Sequence, residues 1–330
     1  MSLAPWQQPL LDRALAAWRA GRLGHAQLLC GPETLGKRAV AEALAARLLC
    51  EAPADQPTCG QCRACVLRAA GTHPDRWLLT FEEVPGSSPP RLRSELVVDQ
   101  VRRLSETLQM TAQRGGAQVV LIDPADALNH AAANALLKTL EEPAERRYLL
   151  LLSSRPQRLP ATIRSRCQRL ELALPERGVA LDWLRARGHA EGSAASALAV
   201  AGGHPVLADA WLREDRLSLR AATLRDWEAV GRGRLSALAV AGSWLAEPDT
   251  APLRLHFLAD AAAALARAAA GGGPAPAGLT VPADLAKLSL WFDRINHLRR
   301  QLPLPLRHQL ALADLLLDWR GLLAPEENAR

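Results

Sequence analysis

The sequence predicts an α/β protein, with a parallel sheet in its first half and helices throughout its second. Three observations carry that expectation. Short apolar runs (AQLLC at Ala26–Cys30, VVLI at Val119–Ile122, YLLLL at Tyr148–Leu152) alternate with helical patterns, as strands buried on both faces of a parallel sheet do. A Gly-x4-Gly-Lys motif stands between the first of these runs and a helix. From about residue 209 onward Leu and Ala dominate, Trp recurs at intervals, and no strand-like run returns.

Leu10–Trp18 has helical spacing, and Ala26–Cys30 is the first strand. GPETLGKR, Gly31 to Arg38, follows and leads into the helical pattern AVAEALAARLLC. This is the Walker A arrangement. Gly31 and Gly36 free the backbone so that N–H groups wrap phosphates, the helix N-terminus adds a positive dipole, and Lys37 reaches the terminal phosphates. The residue after Lys37 is Arg38, where the motif demands the Ser or Thr hydroxyl that ligates Mg²⁺, and a guanidinium cannot replace that ligand.

Next come Cys50, Cys59, Cys62 and Cys65, three of them tightly spaced and the fourth at a helix end. Four thiolates suit tetrahedral Zn²⁺, and a site closed by four protein ligands is structural. An iron–sulfur cluster uses the same ligands, and free cysteines in a loop are the plain alternative. His73, in THPD, reads as a loop cap, and Cys30 and Cys167 as buried thiols. Phe81–Arg93 is a Pro- and Ser-rich loop expected to be mobile, Leu96–Leu108 is helical, and Gly115–Gly116 turns the chain into the strand Val119–Ile122.

Asp123 ends that strand, where P-loop ATPases keep their Mg²⁺-binding carboxylate, but Pro124 follows it, and a prolyl ring can neither accept a proton nor orient a water. Asn129 caps a helix over Ala131–Leu140 that Pro143 closes, and the strand Tyr148–Leu152 ends at Ser153–Ser154. Beyond it RPQRLPATIRSRC is basic and irregular, and it carries Arg164 and Arg166. For an isolated arginine, solvated charge or a surface ion pair is the ordinary role.

Composition bounds the function classes. Hydrophobic residues at 49% and charged ones at 22% of 330 residues give ample core for two or three domains. No apolar stretch approaches the roughly 18 residues of a membrane span. The N-terminus shows no basic-then-apolar leader, so a reducing cytoplasm is the expected setting. The net charge of +6 is spread along the chain and is compatible with nucleic acid nearby or with a plain solvated surface.

GPETLGKR, the Cys50/Cys59/Cys62/Cys65 module, THPD at 72–75, VVLIDPADALN, NALLKTLEEP and the triplet Ser165-Arg166-Cys167 stand in an order that resembles the delta-prime family of bacterial DNA polymerase III clamp-loader subunits, within the AAA+ superfamily. The resemblance covers about the first half of the chain. It implies an AAA+ core over 1–167 with the zinc module 50–65 inserted, a small helical lid over 168–208, and an all-α collar for oligomerisation over 209–330. It implies Ser153, or its neighbour Ser154, at the sensor-1 position, and a sensor-2 region at AGGHP (Ala201–Pro205) that lacks the family's arginine. Arg166 matches the arginine that acts in trans on a neighbour's ATP site. The implied partners are the gamma/tau ATPase subunits, the delta subunit, the sliding clamp and primer-template DNA, with no membrane.

Three functions follow for weighing. One is a non-hydrolysing clamp-loader subunit that works through Arg166. A second is a motor ATPase using its own Lys37 and Asp123, against which Arg38 and Pro124 count. A third is a nucleic-acid reader built on the cysteine loop, which has only Arg63 and Arg68 nearby and no aromatic for base stacking.

Overall fold

The computed structural model describes residues 3–323, apart from 88–89, 273–274, 277, 283, 303 and 305. It divides into two compact units, Met1–Asp209 and Ala210–Arg330. In the first, α1 (Gln8–Arg19), β1 (Ala26–Cys30), α2 (Lys37–Leu49), α3 (Arg63–Ala69), β2 (Arg76–Leu79), α4 (Val98–Gln109), β3 (Gln118–Ile122), α5 (His130–Glu141), β4 (Arg147–Ser153), α6 (Ala161–Arg164) and β5 (Gln168–Glu171) build the sheet and its covering helices. Helices α7 (Arg177–Ala186), α8 (Glu191–Val200) and α9 (Pro205–Arg213) follow, α9 running across the division into the second unit.

The strands pair in the order β2-β3-β4-β1-β5, and every pair is parallel. The apolar runs are continuous because both faces are covered. Leu28, Cys30, Val120, Ile122, Leu149 and Leu151 pack with Val101, Leu104 and Leu136 of α4 and α5. The intervening residues Leu29, Val119, Leu121, Leu150 and Leu152 pack with Leu10, Leu11, Val40 and Leu44 of α1 and α2. Asn129 caps α5 by accepting from the Ala132 N–H at 2.9 Å.

Two strands escape the sequence pattern. β2 reads RWLL, an apolar run of only three residues that is mostly half-buried, and β5 reads QRLE with Leu170 alone buried, so neither shows a run like those of β1, β3 and β4. In the Phe81–Arg93 loop the two limbs pair with each other. Glu83 bridges Leu92 antiparallel, and the Arg93 N–H donates to Glu82 O at 2.8 Å. Its tip, 88–89, lies outside the described residues, as does part of the Gly271–Gly278 loop.

The second unit contains α10 (Arg216–Gly231), α11 (Ala237–Leu245), α12 (Ala251–Ala269), α13 (Leu285–Gln301) and α14 (His308–Leu323). Its tryptophans are core. Trp227 stacks on Trp291 with centroids 5.1 Å apart and lies 4.2 Å from Trp319. The Trp291 indole donates to Leu315 O at 2.7 Å, and Trp244 donates to Asp226 Oδ2 at 3.0 Å. No helix among the described residues is long and apolar enough to cross a membrane.

Because Trp227 is wholly buried within that ring cluster, Trp227→Ala is expected to destabilise the C-terminal unit by about 3–5 kcal/mol. Urea unfolding followed by circular dichroism checks it, and a loss below about 1 kcal/mol would show that the cluster repacks.

Candidate functional site

The cavity that matters lies at the carboxyl ends of β1, β3 and β4, where open parallel sheets place ligands. Register sets their ends: Cys30 pairs with Ser153, and Ile122 with Leu151, so β1 and β4 end level and β3 ends two residues earlier. Gly31 and Ser154 leave the sheet together, and Asp123 leaves it from the strand beside β4. The cavity is about 690 Å³, and its lining includes Gly36, Lys37, Arg38, Asp123, Asp126 and Ser154.

The glycines are conformational necessities. Gly31 has φ +150°, and a Cβ there would sit 2.3 Å from Leu172 O. Gly36 has φ +83°, and a Cβ there would sit 2.0 Å from Gln7 Nε2. Thr34, at φ +66°, adds a left-handed residue between them. The loop is pinned from the N-terminal segment: buried Gln7 donates through Nε2 to Leu35 O at 2.8 Å, and Trp6 Nε1 donates to the same oxygen at 3.2 Å.

Lys37 turns back into the protein. Its ammonium donates to Gly31 O, Pro32 O and Ser154 Oγ at 2.9, 2.8 and 2.8 Å. Burial pulls its pKa below the usual lysine value, while Glu33, Asp123 and Asp126 oppose that shift. Of the two serines at the end of β4, Ser154 is the one on Lys37. Ser153 is buried, and its Oγ accepts from the Arg155 N–H at 3.2 Å.

Arg38 takes part directly. Its Nη1 lies 3.5 Å from Asp123 Oδ2. Burial raises the Asp123 pKa above the usual carboxylate value, and Arg38 and Lys37 draw it back. A Mg²⁺ ion does not fit this donor set: the carboxylate that would hold it faces a guanidinium, position 38 offers no hydroxyl, and the side chain of Pro124 offers neither acceptor nor base.

Residues not singled out by the sequence complete the cavity. Asp126 accepts from the Ser154 N–H at 3.2 Å and meets Arg155 Nε at 3.4 Å. Its signal was its place in IDPAD, which a 3₁₀ turn at Ala125–Ala127 brings back toward the strand end. His204, within AGGHP, sets Nδ1 3.4 Å from Thr34 Oγ1, so the helices after β5 reach the P-loop through an imidazole. Arg166 is not among the cavity's lining residues. Its Nη1 donates to Thr162 O at 2.9 Å and its Nη2 pairs with Glu141 at 2.6 Å, both side chains being partly exposed.

The four cysteines converge. All four sulfurs lie within 4.8 Å of one another, with Cys50–Cys59 at 3.6 Å and Cys50–Cys62 at 4.0 Å. A disulfide needs about 2.05 Å. Tetrahedral ligands about 2.3 Å from one ion stand about 3.8 Å apart, so the set fits a single metal ion and is too tight to enclose a multi-iron cluster. Backbone N–H groups already face the sulfurs: Cys59 N to Cys50 Sγ at 3.4 Å, Cys62 N to Cys59 Sγ at 3.3 Å, and Cys65 N to Cys62 Sγ at 3.4 Å. The N–H groups of Cys62 and Gln61 bring the Cys59 thiol down to about 6, whereas burial pushes Cys65 up to about 12. A bound cation deprotonates such thiols together. His73 stands apart from the quartet, its Nδ1 accepting from the Asp75 N–H at 3.1 Å to close a turn.

Comparison with known proteins adds the lineage. The family described as DNA polymerase III, delta subunit, matches residues 6–176. The DNA polymerase III subunit delta' of Pseudomonas aeruginosa is 42% identical over 257 residues, 77% of this chain and 73% of that one. Its counterpart from Escherichia coli is 36% identical over 261 residues, with the same coverage of 77% and 73%. DNA polymerase III subunit tau of Escherichia coli is 35% identical over 166 residues, 50% of this chain and 24% of that one.

The His204 contact generates a pH dependence. Burial holds its pKa below the ordinary histidine value, so the unfolded chain takes the proton first as pH falls below about 6.5, and stability drops with it. The melting temperature is expected to fall between pH 7.5 and pH 5.5, and less steeply in His204→Gln. Equal slopes would mean that the imidazole stays hydrated.

Proposed function

Because the chain belongs to the DNA polymerase III delta-prime family, we propose that it is a non-hydrolysing, stator-like subunit of the clamp loader that acts on a neighbour's ATP site through Arg166. The observation that carries this reading is the Arg38–Asp123 pair. An ATPase of this type needs that carboxylate on Mg²⁺ and a base beside it, and here the first is engaged and the second is a proline. Gly31, Gly36, Lys37, Asp123 and the Ser153–Ser154 pair are then a nucleotide site kept for its shape.

Arg166 has the properties of a residue supplied to another subunit. It is not among the residues that line its own cavity, and among the described residues its guanidinium contacts Thr162 O and pairs with Glu141, both side chains partly exposed. Such exposed pairs contribute about 0–1 kcal/mol, so exchanging Glu141 for a phosphoryl group in the adjoining site costs little. An arginine in that role contributes on the order of 10³–10⁵ in rate.

The domain reading accompanies it: an AAA+ core over 1–167, a lid over 168–208, and a collar over 209–330 through which the gamma/tau and delta subunits associate, so that the assembled complex opens the sliding clamp on primer-template DNA in the cytoplasm. Cys50, Cys59, Cys62 and Cys65 hold a structural Zn²⁺, which closes the loop and leaves no open position for catalysis.

The purified chain with Mg²⁺ and ATP is expected to show no turnover. Sustained hydrolysis would make it a motor ATPase and overturn the reading. In the assembled loader, Arg166→Ala is expected to lower ATPase activity by at least about 10³ at the site it serves, and an unchanged rate would refute the trans role. Metal analysis of protein prepared without chelator is expected to return stoichiometric zinc, lost in Cys62→Ser.

A further inference from the structure

Four consecutive residues, 51–54, follow the first cysteine of the quartet, and three arginines from three separate elements grip them. Arg47, one turn from the end of α2, donates through Nη2 to Ala52 O at 3.2 Å and to Pro53 O. Arg19, the last residue of α1, donates through Nε to Ala54 O at 3.0 Å. Arg114, in the turn before β3, reaches Glu51 Oε1 with Nη2 at 2.6 Å, and that hydrogen bond holds the Glu51 carboxyl below the usual range.

Arg47 is the unusual member. It is 1% exposed, its guanidinium lies 4.9 Å from the Trp18 ring centroid, and its Nε and Nη1 have no hydrogen-bond partner. Burying a guanidinium with two unpartnered nitrogens opposes stability. The compensation visible around it is the indole face and the two loop carbonyls, and those carbonyls belong to the limb that carries the chain from Cys50 toward Cys59.

We propose that Arg19, Arg47 and Arg114 are positioning residues for the metal: they fix the Cys50 limb to the core, so that the quartet is set before the ion arrives. The inference rests on the metal reading of the four cysteines. Without the cradle, an ion would have to order residues 51–54 as well as it binds, and that conformational entropy would weaken its affinity. With it, the ion orders only residues 55–65, where the N–H groups of the cysteine limb already face the sulfurs. Two of these arginines fasten the cysteine loop to the helix that begins at Lys37 and to the turn that leads toward Asp123, since α2 carries Arg47 and the segment before β3 carries Arg114.

The test is Zn²⁺ affinity of the full chain, measured by competition with a chromophoric chelator, with Co²⁺ thiolate absorption as a second reading. Loss of an outer-shell partner commonly weakens metal affinity 10–100-fold, and that range is expected for Arg47→Met. The metal-free melting temperature of the same variant should be unchanged or higher, because a buried charge only partly compensated by its surroundings has been removed. A merely structural arginine would give the reverse, a lower melting temperature with unaltered affinity. Arg19→Ala and Arg114→Ala, both at exposed or half-exposed positions, are expected to weaken Zn²⁺ binding by smaller factors, and they decide the matter if Arg47→Met fails to fold. Wild-type affinity in the folded variants overturns the cradle. Absence of Zn²⁺ binding by the wild-type chain overturns the metal reading instead.

Discussion

The pairing register of β1 with β4 and of β4 with β3 is the constraint on which the rest of the first unit depends. Parallel strands cannot slip by one residue without turning every buried leucine to the opposite layer of helices. With Cys30 held opposite Ser153 and Ile122 opposite Leu151, β1 and β4 exit level and β3 exits two residues below them. That register gathers the loop at Gly31, the carboxylate at Asp123 and the hydroxyl at Ser154 at one end of the sheet. The fold thus retains the geometry of a phosphate site independently of any ligand.

What occupies that geometry electrostatically is the protein itself. Lys37 is satisfied by two carbonyls and a hydroxyl, Asp123 by Arg38, and Asp126 by Arg155 and a backbone N–H. In a low-dielectric cleft each unpaired charge is costly, and internal pairing removes the demand that an incoming cation and polyphosphate would otherwise meet. The change at position 38 therefore does more than delete a Mg²⁺ ligand: it supplies a positive charge where the ion would stand. The cysteine quartet is the opposite case, with sulfurs and N–H groups gathered around a position that only a cation satisfies.

Much of this was legible in the sequence because burial and motif spacing are local signals. The strands β1, β3 and β4 announce themselves as apolar runs, and the cap at Asn129 and the cysteine spacing are chemical signatures within a few residues. β2 and β5 did not, since RWLL and QRLE carry too little apolar pattern, and their places come from pairing with neighbours far away in sequence. The Phe81–Arg93 stretch read as loose because Pro, Gly and Ser dominate it, yet its two limbs carry residues that pair across the turn. Choosing Ser154 over Ser153 at the cavity needed the strand's last orientation, which composition does not carry. Arg38 could be read as a lost ligand from the motif, but its partner, eighty-five positions later, could not.

The pinning of Leu35 by Trp6 and Gln7 has its own consequence. The segment before α1 is thus a keystone for that loop. Changes at Trp6 or Gln7 would consequently be read out in the cleft, as distant edits with a local effect.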